Sequence, residues 1–288
     1  MGFSSLDNIF SSISSGNSFY SFYSKTLPAL SILSGWNDAF TFPGIPSAGN
    51  YNNNLGSCTT LSDTSDGAIY TGGNVLPATK HLLNIEAFCT HTSQSLYLLL
   101  VDMLAYYVLD INLPYQSFDT IGNILPLRNG VQHSGENVQM YLAHFGSGGS
   151  NISIQMNYTN SLGASCQPLG APAITQSATY PGLFNYAPGS QNAFGPFLPH
   201  GVGNIGVQSV QNIKASAGII NSGVLVLCEP IAAIQLNTGG VLPCQKDFLF
   251  SKTRLPMIKD GACLNFLVYS TGTISIAPIV ATMDFVWG

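Results

Sequence analysis

The seven residues Ile152-Ser153-Ile154-Gln155-Met156-Asn157-Tyr158 alternate apolar and polar without a break. Side chains on a strand point to opposite faces at every second residue, so this pattern predicts a β-strand with one buried face. Comparable apolar runs, bounded by Gly, Pro, Asn or Ser, recur from residue 75 to the end of the chain. The strands expected from them are 82–91, 96–101, 104–109, 138–145, 152–158, 206–215, 223–229, 232–236, 262–269, 273–277 and 282–287. Gly146-Ser147-Gly148-Gly149-Ser150 is expected to join two of these as a hairpin. Thirty glycines and 16 prolines favour many short strands joined by turns over long helices. The expected fold class is all-β, a β-sandwich of jelly-roll or immunoglobulin-like kind with an extended N-terminal arm.

Residues 1–74 read differently from 75–288, and the domain expectation divides the chain there. Leu6, Ile9, Phe10 and Ile13 fall at helical spacing behind Ser4 and Ser5, which predicts a short capped amphipathic helix. An uncharged aromatic stretch follows, then turn residues through Pro28, Gly35, Pro43, Pro46 and Asn52. An arm that docks Phe19, Tyr20, Phe22, Tyr23, Trp36, Phe40 and Phe42 on another surface fits this composition, because aromatic side chains bury much area at interfaces. Packing of the same segment on its own domain is the competing expectation. A second irregular stretch near 160–200, rich in Pro and Gly, reads as a long docked or functional loop.

Only 7% of the chain is charged, against about 25% in ordinary globular proteins. A protein that works alone in solution generally keeps a densely charged surface. Scarcity of charge therefore points either to life inside an assembly or to a surface coated in neutral hydroxyls and amides, and so to a structural or packing role. The net charge of -5 argues against direct nucleic-acid binding, which needs clustered cations. Lys246, Lys252, Arg254 and Lys259 are interleaved with Asp247 and Asp260 and read as a solvated or contact face. The most apolar stretch, 96–113, is broken by Asp102 and Asp110, which favours buried strands over a membrane span. No cationic segment precedes an apolar run at the N-terminus, so no secretory signal is expected.

Candidate chemistry is sparse. The cysteines, Cys58, Cys89, Cys166, Cys228, Cys244 and Cys263, show no CxxC spacing and several lie on apolar runs. They read as buried thiols in preference to disulfides or a metal site. His81, His91, His133, His144 and His200 form no metal-binding spacing; His133 and His144 flank one strand and could meet in space. Asp102 and Asp110 would split their pKa values if buried together, but strand-end acceptors are the plainer expectation. Gly201-Val202-Gly203-Asn204-Ile205-Gly206 reads GxGxxG, yet it precedes a strand, whereas a dinucleotide loop follows one. No catalytic, cofactor or metal site is expected, and the chain does not read as an enzyme.

Several longer stretches carry a resemblance. They are Gly73 to Leu83 (GNVLPATKHLL), Leu98 to Tyr107 (LLLVDMLAYY), Leu125 to Gly130 with Gly135 to Leu142, Gly195 to Pro199, Gly206 to Gln211, Leu255 to Leu267 (LPMIKDGACLNFL), and the opening Met1 to Leu6. In these the chain resembles a group of virion proteins of tailed bacteriophages, over roughly residues 73–288. The resemblance implies membership in a phage particle, in its head; taken with the scarcity of charge, the leading expectation is a minor capsid or decoration protein, with capsid proteins and copies of itself as partners. The alternatives are a receptor- or glycan-binding fibre or adhesin head, and the major shell subunit. The resemblance carries over no catalytic residues.

Overall fold

The computed structural model describes residues 3–27, 35–51, 56–90, 95–110, 113, 115–118, 122–144, 151–167, 173–175, 182–183, 185–186, 195–215, 223–237, 242–250, 254–270 and 276–288. The fold is all-β, built sheet on sheet. One helix, α1 (Leu6–Ser14), precedes nine strands of six residues or more among the described residues: β1 (Ser18–Leu27), β2 (Lys80–Cys89), β3 (Leu96–Leu109), β4 (Gln139–His144), β5 (Asn151–Asn160), β6 (Val207–Ala215), β7 (Gly223–Leu236), β8 (Leu264–Ser270) and β9 (Ala277–Trp287). The expected hairpin at 146–150 lies outside the described residues, as does most of the expected strand 273–277.

The two 14-residue strands β3 and β7 pair antiparallel along their whole length and form the spine of the central sheet. β4 lies beyond β7; β8 and the short strand Gly35–Asp38 lie beyond β3. Leu96, Leu98 and Leu100 of β3 join Ala232, Ile234 and Leu236 of β7 in one core, completed by the sheet of β2, β9 and β1. Leu104, Tyr107 and Leu109 join Leu225 and Leu227 in a second core, completed by the sheet of β5 and β6.

Alternation would place the two halves of such a long strand on one face only if parity held throughout. Register irregularities opposite Leu227/Cys228 and between Pro230 and Ala232 each take up one extra residue, and the same face continues past them. Two sandwiches thus stand side by side on one face of a shared sheet. The other face carries Val101, Met103, Tyr106 and Val226 under a cover that includes Trp36, Phe40, Tyr51 and Leu61.

Residues expected as an arm are woven into this frame. β1 pairs with β9 over ten residues from Ser18↔Val286 to Leu27↔Ala277, and Gly35–Asp38 pairs with β8. Ser5 caps α1 by accepting a hydrogen bond from the Asn8 N–H at 3.3 Å, which satisfies one of the free donors of the first turn.

Candidate interaction surface and buried charge clusters

The seven arm aromatics divide by the alternation of β1 and by the cover over the central sheet. Tyr23 points inward, fully buried, with its ring edge-on to Phe266 at 5.0 Å. Trp36 packs between Tyr97 and Tyr269, Phe40 stacks at a tilt on Tyr51, and Phe42 lies in the first core. These four serve the fold of this chain. Phe19 is half-buried, edge-on to Tyr70 at 5.1 Å. Tyr20 and Phe22 point outward and remain 60% and 45% exposed.

The outward face of β1 belongs to a larger apolar area. α1 rests on the same face of that sheet, seating Ile9 against Leu83 and Val286. Val286 is the register partner of Ser18, two residues before Tyr20. Leu6, Phe10 and Ile13 meanwhile stay 51%, 59% and 38% exposed. An amphipathic helix normally turns all of its apolar stripe inward. This one spends a single residue on its own core.

Several of the few charged residues lie inside. Asp102 and Glu229 stand directly opposite one another on β3 and β7, at the seam between the two cores. Like charges at that spacing repel, and the hairpin Leu127–Arg128/Val131–Gln132 brings Arg128 to Asp102. Arg128 holds Asp102 bidentately, Nε to Oδ2 at 2.7 Å and Nη2 to Oδ1 at 2.8 Å, while the Cys263 N–H donates to Oδ1 at 2.9 Å. Arg128 Nη2 also reaches the carbonyls of Leu61 and Met103. Burial pushes the Asp102 carboxyl up and Arg128 pulls it back, with a net rise. Glu229 Oε2 accepts from Lys259 Nζ at 2.6 Å and from His133 Nε2 at 3.0 Å. The Gly135 N–H donates to His133 Nδ1, which leaves the ring proton on Nε2 to face Glu229. Burial alone would raise Glu229, but these two partners outweigh it and hold the carboxyl below its ordinary value.

Beside this seam lies a cavity of about 300 Å³, lined by residues including Glu229, Ile231, Arg254, Met257 and Lys259. Both oxygens of Asp102 are taken by Arg128 and Cys263, and the hydrogen bonds of Glu229 are made within the chain. The cluster binds β3, β7, the 127–132 hairpin and the 259–263 turn together. Sequence reasoning weighed Asp102 with Asp110; eight strand residues put these about 26 Å apart, and Asp102 is a buried ion pair in mid-strand, not a strand-end acceptor.

Two further clusters have the same character. Lys80 and Asp260 approach to 3.7 Å, both buried, with Asp260 Oδ2 accepting from the N–H groups of Val75 and Leu76. Lys25 is fully buried and donates to the carbonyls of Phe42 at 2.7 Å and Ser47 at 2.9 Å. Burial lowers its pKa to about 8, against the opposing pull of Asp38. Asp38 in turn accepts from the hydroxyls of Tyr51 and Tyr141, the latter at 3.2 Å, and from the Phe40 N–H. Several of the groups that compensate these charges come from distant positions, Tyr141 for Asp38 and Asp260 for Lys80, which a local reading does not bring together.

All six cysteines are free thiols, with Cys89, Cys228 and Cys263 buried. Burial drives the Cys58 thiol up to about 11 and pushes those of Cys228 and Cys263 up as well, which makes them poor nucleophiles and poor metal ligands. Among the described residues no group of three or more His, Cys, Asp or Glu is placed to hold a metal ion. The GxGxxG stretch forms turns: Gly203 has φ +79°, and Gly206 passes so close to Gly135 that an added Cβ would sit 1.9 Å from its carbonyl oxygen. Lys246 lies 5.5 Å over the Phe248 ring, Lys259 is tied to Glu229, and Lys252 lies outside the described residues, as does the side chain of His144. No helix among the described residues is long and apolar enough to cross a membrane.

No protein-family model matches the chain, and no curated protein does. Among solved structures, the chain is similar to that of the Gx strain of infectious bursal disease virus, at 11% identity over 93% of this chain and 80% of that one, with a TM-score of 0.20. The VP2 subviral particle of the same virus gives 11% identity, 93% and 79% coverage and a TM-score of 0.18. Scores this low carry no argument, and the functional reading stands on the chain's own surface and interior.

Proposed function

We propose that this chain is a virion structural protein, most concretely a minor capsid or decoration protein that packs on shell subunits and on copies of itself. The observation that carries the reading is where the charge is. Lys25, Lys80, Asp38, Asp102, Arg128 and Asp260 are buried, which leaves at most 15 of the 21 charged residues for a surface of 12592 Å². That is about 840 Å² or more per charge, against about 165 Å² for average composition. A neutral surface costs little to desolvate against a neighbour. The outward Leu6, Phe10, Ile13, Tyr20 and Phe22 supply apolar area to bury there, and the bacteriophage resemblance supports a particle as the place.

Purified particles provide the test. The protein is expected to sediment with them at on the order of hundreds of copies each, as a component repeated by shell symmetry must. Phe10→Ser with Ile13→Ser is expected to release it while the isolated protein still melts cooperatively. Absence from particles, or a copy number in the tens, would overturn the decoration reading.

A further inference from the structure

We propose that β1 is a self-pairing edge: two copies of this chain join antiparallel along Ser18–Tyr23 and fuse their sheets across a two-fold axis. The reading starts from a gap in the ladder. β1 is bonded on one side to β9 along its full length, but on the other side only Ser24, Lys25 and Thr26 find partners, in Ile45, Gly44 and Pro43. The short strand Gly44–Ile45 ends there, and Pro46 follows it. Among the described residues nothing pairs with the outer side of Ser18–Tyr23.

Which backbone groups face the gap follows from the register. Thr26 N–H donates to Pro43 on that side, and the Ser24 carbonyl oxygen faces Gly44 there. Backbone groups alternate along a strand, so the N–H and C=O of Ser18, Tyr20 and Phe22 open to the edge. Natural edge strands are protected by Lys, Pro, bulges or a covering loop. Ser18–Ser24, reading SFYSFYS, has no charge and no proline.

The occupant is a second copy because of what a two-fold axis does to charge. Antiparallel self-pairing about Tyr20 sets that residue against its own copy and Ser18 against Phe22, so a charge at the axis would face itself. A charged edge would repel itself there, and this one cannot. Three facing pairs make about six backbone hydrogen bonds, and the exposed Tyr20 and Phe22 rings gain cross-strand neighbours on the outer face. The virion reading supplies a setting for this contact, but the contact itself is read from the edge and does not depend on it.

Light scattering on the isolated protein over a concentration series tests the proposal apart from any particle. The wild type is expected to pass from monomer to dimer. Tyr20→Lys, at a side chain outside the core, is expected to weaken dimerisation tenfold or more by placing two cations face to face. Tyr20→Thr keeps the backbone and a neutral strand-forming side chain, so it is expected to keep the dimer. A wild type that stays monomeric at millimolar concentration, or a Tyr20→Lys variant that dimerises as the wild type does, would overturn the proposal.

Discussion

Arg128 is the residue on which the joint between the two cores depends most directly. Its guanidinium neutralises Asp102 in a site from which both side chains are almost wholly excluded from water. Removing one member of a buried pair leaves the other as an uncompensated charge, which costs about 3–5 kcal/mol, whereas replacing both by apolar groups can be close to neutral. Arg128→Met is therefore expected to lower unfolding stability by about that amount in urea titration, and Asp102→Leu added to it is expected to restore most of the loss. Equal instability of the single and double variants would show that Arg128 acts by packing alone. Glu229 gives the seam a pH dependence. Its folded carboxyl lies below the unfolded value of about 4.3, so its contribution is fully present above that pH and is lost as pH falls through the folded value. The stability difference between wild type and Glu229→Gln is expected to be largest above about pH 5 and to shrink below about pH 4 in thermal melts. A difference that does not change with pH would separate Glu229 from the ion cluster.

At the scale of elements, what the sequence discloses depends on where each element's compensation comes from. α1 was legible because its cap and its stripe are local: the expected helix behind Ser5 is Leu6–Ser14. Strands with ordinary alternation were legible to within two residues, as with 82–91 against Lys80–Cys89 and 206–215 against Val207–Ala215. The two spine strands were each read as two. Asp102 interrupts β3 and Glu229-Pro230 interrupts β7, and a local reading takes a charge or a proline as a break. Both strands continue because Arg128, Lys259 and His133 arrive from distant positions, and because Pro230 falls at a register irregularity. β1 was hidden for another reason. Ser21 and Lys25 face inward while Tyr20 and Phe22 face outward, so polarity does not alternate even though burial does. The same inversion explains the aromatic set. Composition could mark the seven rings as too many for solvent, but only the pleat and the cover over the central sheet separate Tyr23, Trp36, Phe40 and Phe42 from Tyr20 and Phe22.

For the molecule as a whole, the surface is poor in charge and six of the 21 charged residues sit in buried joints, and that distribution has a measurable consequence. Ion pairs at an exposed interface are screened by salt over a Debye length of about 10 Å at 0.1 M, so contacts built on them weaken as ionic strength rises. Contacts built on apolar area and backbone pairing do not. The Arg128–Asp102 and Lys80–Asp260 pairs are too buried to respond, and the outward face of α1 and β1 offers no cation and few anions to a neighbour. Binding to particles and self-association are both expected to change by less than about threefold between roughly 50 and 500 mM NaCl, measured by sedimentation and by light scattering. A loss of tenfold or more over that range would place charged side chains at the contact. The only concentration of cations in the sequence spans Lys246 to Lys259, so the interface would then have to be moved from the β1 sheet face to that side of the chain.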